Sequence, residues 1–147
     1  MASKLFDLTG KVALVTGGNG GIGLGMAEGL AQQGATTIIW GRNEDKNAKA
    51  LERLKETGAT VKAVGVDVAD HKAIEKNMSD LLSEFGRIDF AMANAGITVR
   101  RNTMFDVTED DLNEIEGVNL NGVFHTLRTA AESMVERAKN GDPGGSL

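Results

Sequence analysis

The chain has no cysteine and no tyrosine, and only one proline and one tryptophan, in its 147 residues. Without cysteine it forms no disulfide and builds no thiolate metal site, although that absence leaves its compartment open. It also lacks any apolar run near the ~18–20 residues that cross a bilayer. Its N-terminus carries Asp7 and no continuous apolar core, so no secretory signal is read there, and a cytoplasmic protein is the default expectation. Basic residues are the minority: 16 Lys and Arg stand against 21 Asp and Glu, and the net charge of −5 argues against a nucleic-acid partner. His71 and His125 are isolated in the sequence, with no metal constellation around either. Repeats and low-complexity tracts are also missing. What remains, 41% hydrophobic and 25% charged residues, is ordinary for a globular protein. The length fits one domain, 1–147, able to bury a sizeable core.

The most informative stretch present is Thr16-Gly17-Gly18-Asn19-Gly20-Gly21-Ile22-Gly23. It follows an apolar strand-like run, Val12-Ala13-Leu14-Val15, and opens an amphipathic stretch from Leu24 to about Gln33. Gly18, Gly20 and Gly23 satisfy G-x-G-x-x-G, while Thr16, Gly17, Gly21 and Gly23 satisfy T-G-x-x-x-G-x-G. A chain with 19 glycines meets such spacings by chance, so the strand before and the helix after carry the weight. A strand, a glycine turn and a helix N-terminus make a phosphate cradle. The turn needs positive φ, the missing β-carbons admit a pyrophosphate, and the first helical N–H groups face it.

The rest of the chain alternates in the same way. Strands are expected at 12–16, 36–40, 61–66 and 88–93. Helices are expected at 22–33, from Asn43 to about Thr57, from the Asp70 cap to Gly86, and from Thr108 onward. In the third helix, Ile74, Met78, Leu81 and Leu82 share a face; in the last, Leu112, Ile115, Val123, Phe124, Leu127, Ala131 and Met134 recur at helical spacing. Residues 94–107 read as a long functional loop, and 140–146 as a turn-like segment around Pro143. This alternation implies a doubly wound parallel α/β sheet of Rossmann type, with ligands at the carboxyl edge.

Several residues could carry chemistry at that edge. The second strand ends Trp40-Gly41-Arg42-Asn43, with no acid until Glu44. An acid there would hold a ribose 2′-hydroxyl, whereas an Arg suits a 2′-phosphate, so Arg42 favours NADP, with NAD as the alternative. Gly41 leaves space beside that guanidinium. Asp67 could accept from an adenine amino group with Val68 against the ring, or could simply form a turn. Asn94-Ala95-Gly96 permits close approach of backbone to ligand, or makes a plain turn. Asn119 and Asn121, flanked by Gly117 and Gly122, are poor residues for a helix interior and suggest a kink. Arg100 and Arg101 read as a solvated loop pair.

These elements together resemble the N-terminal part of a short-chain dehydrogenase/reductase, from Leu5 to Leu147. The resemblance rests on Thr16-Gly17-x-x-x-Gly21-Ile22-Gly23, Asp67-Val68, Asn94-Ala95-Gly96 and Val118-Asn119-Leu120-Asn121-Gly122-Val123-Phe124. It implies that Thr16, Gly17, Gly21, Ile22 and Gly23 surround the cofactor phosphates and that Asn19 also binds the cofactor. It implies that Asp67 and Val68 hold the adenine, that Asn94, Ala95 and Gly96 line the cofactor, and that Asn119 is the catalytic Asn organising a proton-relay water. The family often has two asparagines before Ala-Gly; here the first is Ala93. The family's chemistry also needs a Ser at the end of a fifth strand and a Tyr-x-x-x-Lys beyond it. This chain has no Tyr and ends at Gly145-Ser146-Leu147, where a fifth strand would begin, with Ser146 placed before that strand. The expectation is therefore a sheet truncated after its fourth strand and following helix. It would be the cofactor-binding portion of an oxidoreductase interconverting alcohol and carbonyl, inactive by itself. A homo-oligomer is expected at family level, with a small alcohol or ketone as the full-length substrate. A complete, non-catalytic dinucleotide-binding or assembly module is the alternative. A methyltransferase-like protein would want an acid where Gly41 and Arg42 stand.

Overall fold

The computed structural model describes residues 4–147. Four parallel strands form one sheet: β1 (Val12–Thr16), β2 (Thr36–Gly41), β3 (Val61–Gly65) and β4 (Phe90–Ala93), in the order β3-β2-β1-β4. Val12 pairs with Thr36, Gly41 with Gly65, and Thr16 with both Trp40 and Ala93. The chain winds outward from β1 to β3, then returns to the far side of β1. That reversal opens a crevice at the carboxyl ends of β1 and β4, the topological switch point of such sheets.

β1 is buried along its whole length, as its unbroken Val-Ala-Leu-Val run requires of a central parallel strand. The strand period of two divides the core between the faces. Leu14, Ile38 and Trp40 pack with Ile74, Met78 and Leu81 of α3 (His71–Phe85) and with Val118 and Ala130. Val15 and Ile39 pack with Ala27 of α1 (Gly21–Gln32) and with Ala50 and Leu54 of α2 (Glu44–Lys55).

The expected caps hold. Asn43 accepts from Lys46 N at 2.8 Å, and Asp70 accepts from Lys72 N and Ala73 N at 2.9 and 3.3 Å. Thr108 and Asp111 form a reciprocal capping box on α4 (Glu109–Glu116). β3 stops at Gly65 rather than Val66, and α1 begins and ends one residue earlier than expected. β4 starts at Phe90, two residues later than expected, because a side chain replaces its ladder. The Asp89 carboxylate accepts Val12 N at 2.9 Å while Asp89 N donates to Val12 O at 2.8 Å.

The last helix is interrupted as its Asn and Gly residues suggested. After α4 comes a π turn, Gly117–Gly122, and then α5 (Val123–Lys139). A β-carbon on Gly122 would lie 2.8 Å from Val68 O, so glycine lets the π turn press against the segment after β3. The apolar spacing on this helix splits between two faces. Val118, Thr126 and Ala130 are buried, whereas Leu112, Leu120 and Phe124 stay exposed. The 94–107 loop contains a short 3₁₀ turn, Met104–Asp106.

At the amino edge of the sheet a charge network binds the ends of several elements. Arg87 donates to Asp89 through Nε and Nη2 at 2.8 and 2.6 Å. Arg137 donates to Gly144 O at 2.6 Å, and both arginines approach Asp142 at 3.2 Å. Burial pushes the Asp89 carboxyl up, but the Arg87 hydrogen bonds and the Val12 amide outweigh it and hold it below the usual range. Among the described residues no fifth strand forms; Ser146 makes an isolated parallel bridge to Phe90. Ser146 N donates to Asp89 O at 2.8 Å and Ala91 N to Ser146 O at 3.1 Å. Among the described residues, no helix is long and apolar enough to cross a membrane.

Candidate functional site

The glycine run turns sharply from β1 into α1. Gly17 (φ +65°) is required twice over, because a β-carbon there would also lie 2.9 Å from Asn94 Nδ2 and 3.0 Å from Ala95 Cα. Gly23 lets the helix pack: its β-carbon would collide with the Gly17 carbonyl and the Asn94 side chain. Asn94 Nδ2 donates to Thr16 O at 3.0 Å, and Ala95 N donates to Thr16 Oγ1 at 3.0 Å. Thr16 is buried, and its hydroxyl, like the Asn94 amide, locks the ends of β1 and β4 together.

Gly20 is different. Its φ of −178° is open to any residue, and a β-carbon there would meet nothing within 4 Å. Packing therefore does not account for it. It is also the N-cap of α1, which has no side-chain cap and no acid in its first turn, whereas α2, α3 and α4 are capped by Asn43, Asp70 and Thr108. The first turn of α1 thus has no capping side chain at its positive dipole end, the donor set an anion fits. Ile22, in that first turn, is 75% exposed, and Gly21 (φ +52°) is open on its Cβ side.

Beside this turn lies a cleft of about 260 Å³. It brings together Gly17, Asn19, Arg42, Asp67, Val68, Ala95 and Gly96 from the sequence-predicted set. Arg42 Nη1 lies 3.7 Å from Asp67 Oδ2, both side chains half exposed, and Asp67 Oδ1 also accepts from Ala69 N at 3.0 Å. The room provided by Gly41 is not left beside Arg42. Asn19 Nδ2 donates to the buried Asn47 Oδ1 at 2.7 Å, and Asn47 Nδ2 donates to Gly41 O at 2.8 Å. A β-carbon on Gly41 would collide with this amide chain.

Asn119, in the π turn, pairs with the backbone of Ile97 in both directions. Its Oδ1 accepts Ile97 N at 2.8 Å and its Nδ2 donates to Ile97 O at 2.9 Å. It does not line the cleft itself; it anchors Ile97, which does.

Sequence reasoning missed Lys46 and Asn47 here. Both carry a signal: a cation in the first turn of a helix opposes the macrodipole, and an Asn within a helix is a weak former. Two further readings are changed by contacts across elements. Arg101 is an exposed loop residue, as read, but not a free one; it donates to Asp111 through Nε and Nη2 at 2.9 and 2.5 Å. The Arg101 hydrogen bonds, with help from the Thr108 amide, hold the Asp111 carboxyl far below its usual range. His71 and His125 are not isolated: their rings lie 4.4 Å apart, tilted by 35°, and His71 Nε2 is 3.1 Å from Glu75 Oε1. Among the described residues no group of three potential metal ligands forms, so the pair is a contact between α3 and α5.

A crossover parallel sheet, an uncapped helix behind a glycine turn, and an adjoining cleft with Arg42 at its edge define a dinucleotide-binding class of fold. The sequence profile of the short chain dehydrogenase family matches residues 11–142, and the chain belongs to that family, whose oxidoreductases bind NAD(P) on a Rossmann fold. It is 32% identical over 139 residues to sorbose reductase sou1 of Schizosaccharomyces pombe, covering 93% of this chain and 54% of the relative. It is 34% identical over 134 residues to the 3-oxoacyl-[acyl-carrier-protein] reductase FabG of Chlamydia pneumoniae, covering 91% and 53%. Among solved structures it is similar to NAD+-bound xylitol dehydrogenase (TM-score 0.87, 29% identity, 95% of this chain and 52% of that one). It is also similar to a metagenomic short-chain oxidoreductase in complex with NADP (TM-score 0.87, 25% identity, 95% and 62%). The chain thus spans about half the length of the curated relatives it matches.

Proposed function

We propose that this chain forms the NADP-binding portion of a short-chain dehydrogenase that interconverts an alcohol and a carbonyl. The observation that carries this reading is the open, uncapped N-terminus of α1 under Gly20 and Gly21, beside a cleft edged by Arg42. The nicotinamide of the bound cofactor would supply or accept the hydride. The protein's own contributions are binding and orientation. The glycine turn and α1 amides receive the pyrophosphate, Arg42 the 2′-phosphate, and Asp67 with Val68 the adenine. Asn94, Ala95 and Gly96 line the path toward the nicotinamide. Asn119 serves the proton relay through position, because its amide is committed to Ile97 and fixes the π turn against the cleft wall.

The chain alone is proposed to be inactive. It has no tyrosine, and a positioned acid–base group contributes typically about 10²–10⁴-fold to such a reaction. Titration with NADPH and NADH, followed by a turnover assay on a panel of ketones, tests both statements. Tighter NADH binding would overturn the NADP preference, and turnover above the buffer rate would overturn inactivity.

A second reading, a non-catalytic binding or assembly module, is favoured by one observation. Leu120, Phe124 and Leu147 are exposed on a shallow apolar groove of about 430 Å³ that Val123 and Leu127 also line. Both readings place this face against other protein, so self-association is proposed, and a monodisperse monomer in size exclusion with light scattering would contradict it.

A further inference from the structure

Lys46 is the third residue of α2, where its charge faces the positive end of the helix dipole and weakens the helix. Its backbone N–H is used by the Asn43 cap at 2.8 Å, but among the described residues its ammonium has no hydrogen bond or ion pair. Lysines elsewhere, such as Lys11, Lys55 and Lys76, find carboxylates. Lys49 and Lys72 are also unpaired, yet neither lines the cleft, and Lys46 does.

The charged residues lining the cleft are Arg42, Lys46 and Asp67. Asp67 stands 3.7 Å from Arg42 and offsets its charge, so an anion arriving at Arg42 competes with a resident carboxylate. Lys46 has no such rival. Glu44, in the same turn, leans toward the end of β3, its Oε1 4.0 Å from where a Gly65 β-carbon would sit, and Asp45 does not line the cleft. The uncompensated positive charge of the cleft is therefore that of Lys46.

Resting on the NADP reading above, we propose that Lys46 is a second specificity residue for the 2′-phosphate, acting beside Arg42. Arg42 supplies a planar fork, and Lys46 supplies a mobile point charge lining the same cleft. The pair would discriminate against a cofactor with a bare 2′-hydroxyl, because that group gives Lys46 no anion to offset.

The test is calorimetric binding of 2′,5′-ADP and of 5′-AMP to the chain, since both probe the adenosine end alone. Lys46→Ala should weaken 2′,5′-ADP about tenfold and leave 5′-AMP unchanged, Lys46→Arg should retain most of the affinity, and Lys49→Ala should do nothing. The tenfold effect should shrink as salt rises, because the site is open to solvent. Circular dichroism melts confirm that each variant is folded. If Lys46→Ala binds 2′,5′-ADP within twofold of the parent while Arg42→Ala is weakened, Lys46 has no such role and the NADP reading stands. If the parent binds 2′,5′-ADP no better than 5′-AMP, the NADP reading itself fails, and the role of Lys46 fails with it.

Discussion

The two ends of the same sheet are built on opposite terms. At the amino edge, Asp89 is buried and saturated. It takes two hydrogen bonds from Arg87 and one from Val12 N, with Lys11 and Arg137 at 3.7 and 3.5 Å. At the carboxyl edge the charges are exposed and loosely matched, the first helix has no side-chain cap, and Lys46 has no partner among the described residues. The first arrangement engages both Asp89 oxygens and fastens elements to one another, although the buried Arg137 Nε has no hydrogen-bond partner. The second leaves donors and cations unsatisfied in water, where their cost is small and a ligand can claim them. Stability and recognition are therefore separated by the length of a strand.

Asp89→Ala tests that separation with the largest expected effect. Removing one partner of a buried ion pair costs about 3–5 kcal/mol, so the urea midpoint should fall sharply while 2′,5′-ADP binding to the folded variant stays unchanged in the cold. Equal losses at both ends would break the comparison. This network and the separate Arg101–Asp111 pair both make stability depend on acid. Asp89 and Asp111 are both held below 3.8, so the unfolded chain binds protons that the folded one does not. Their contribution is complete above that pH and disappears as pH drops through the lowered folded values. Urea midpoints at pH 6 and pH 3 should therefore differ, and differ less in Asp89→Ala.

Gly23→Ala comes next. The added carbon collides with the Gly17 carbonyl, and overpacking of this kind costs about 1–3 kcal/mol. Because the collision lies in the turn itself, NADPH affinity should fall with stability, unlike in Asp89→Ala. Arg42→Ala should weaken NADPH about tenfold, spare NADH, and move stability by less than about 0.5 kcal/mol. A stability loss there would mean that the Arg42–Asp67 pair fastens the fold. The smallest effect is expected for Asn119→Ala, about 1 kcal/mol, seen chiefly as faster amide exchange at Ile97.

Much of the fold was legible because it rests on local chemistry. Burial of β1 follows from its apolar run, and Asn43, Asp70 and Thr108 announce three helix starts. The interruption around Asn119 follows from four weak helix residues in six positions. Strand ends were less legible: residues 88 and 89 read as strand, yet Asp89 substitutes its carboxylate for a ladder carbonyl, a choice made by Val12 and Arg87. The ion pair of the exposed Arg101 and the contact between the histidines were not legible, since Asp111 stands on the next helix and the facing ring on another helix altogether.

The sequence by itself determined the order of strands and helices, the glycine cradle, the basic residue after β2 and the absence of tyrosine. Each of these depends on residue type and on neighbours within a few positions. Only the tertiary structure decided which side chains remain free to bind. It committed Thr16 and Asn94 to fastening β1 to β4, Asn19 to Asn47, and Asn119 to Ile97. It left Gly20 open at the start of α1 and Lys46 at the cleft. That division arises because a polar group's availability is set by what packs against it, and packing joins residues that the sequence keeps apart.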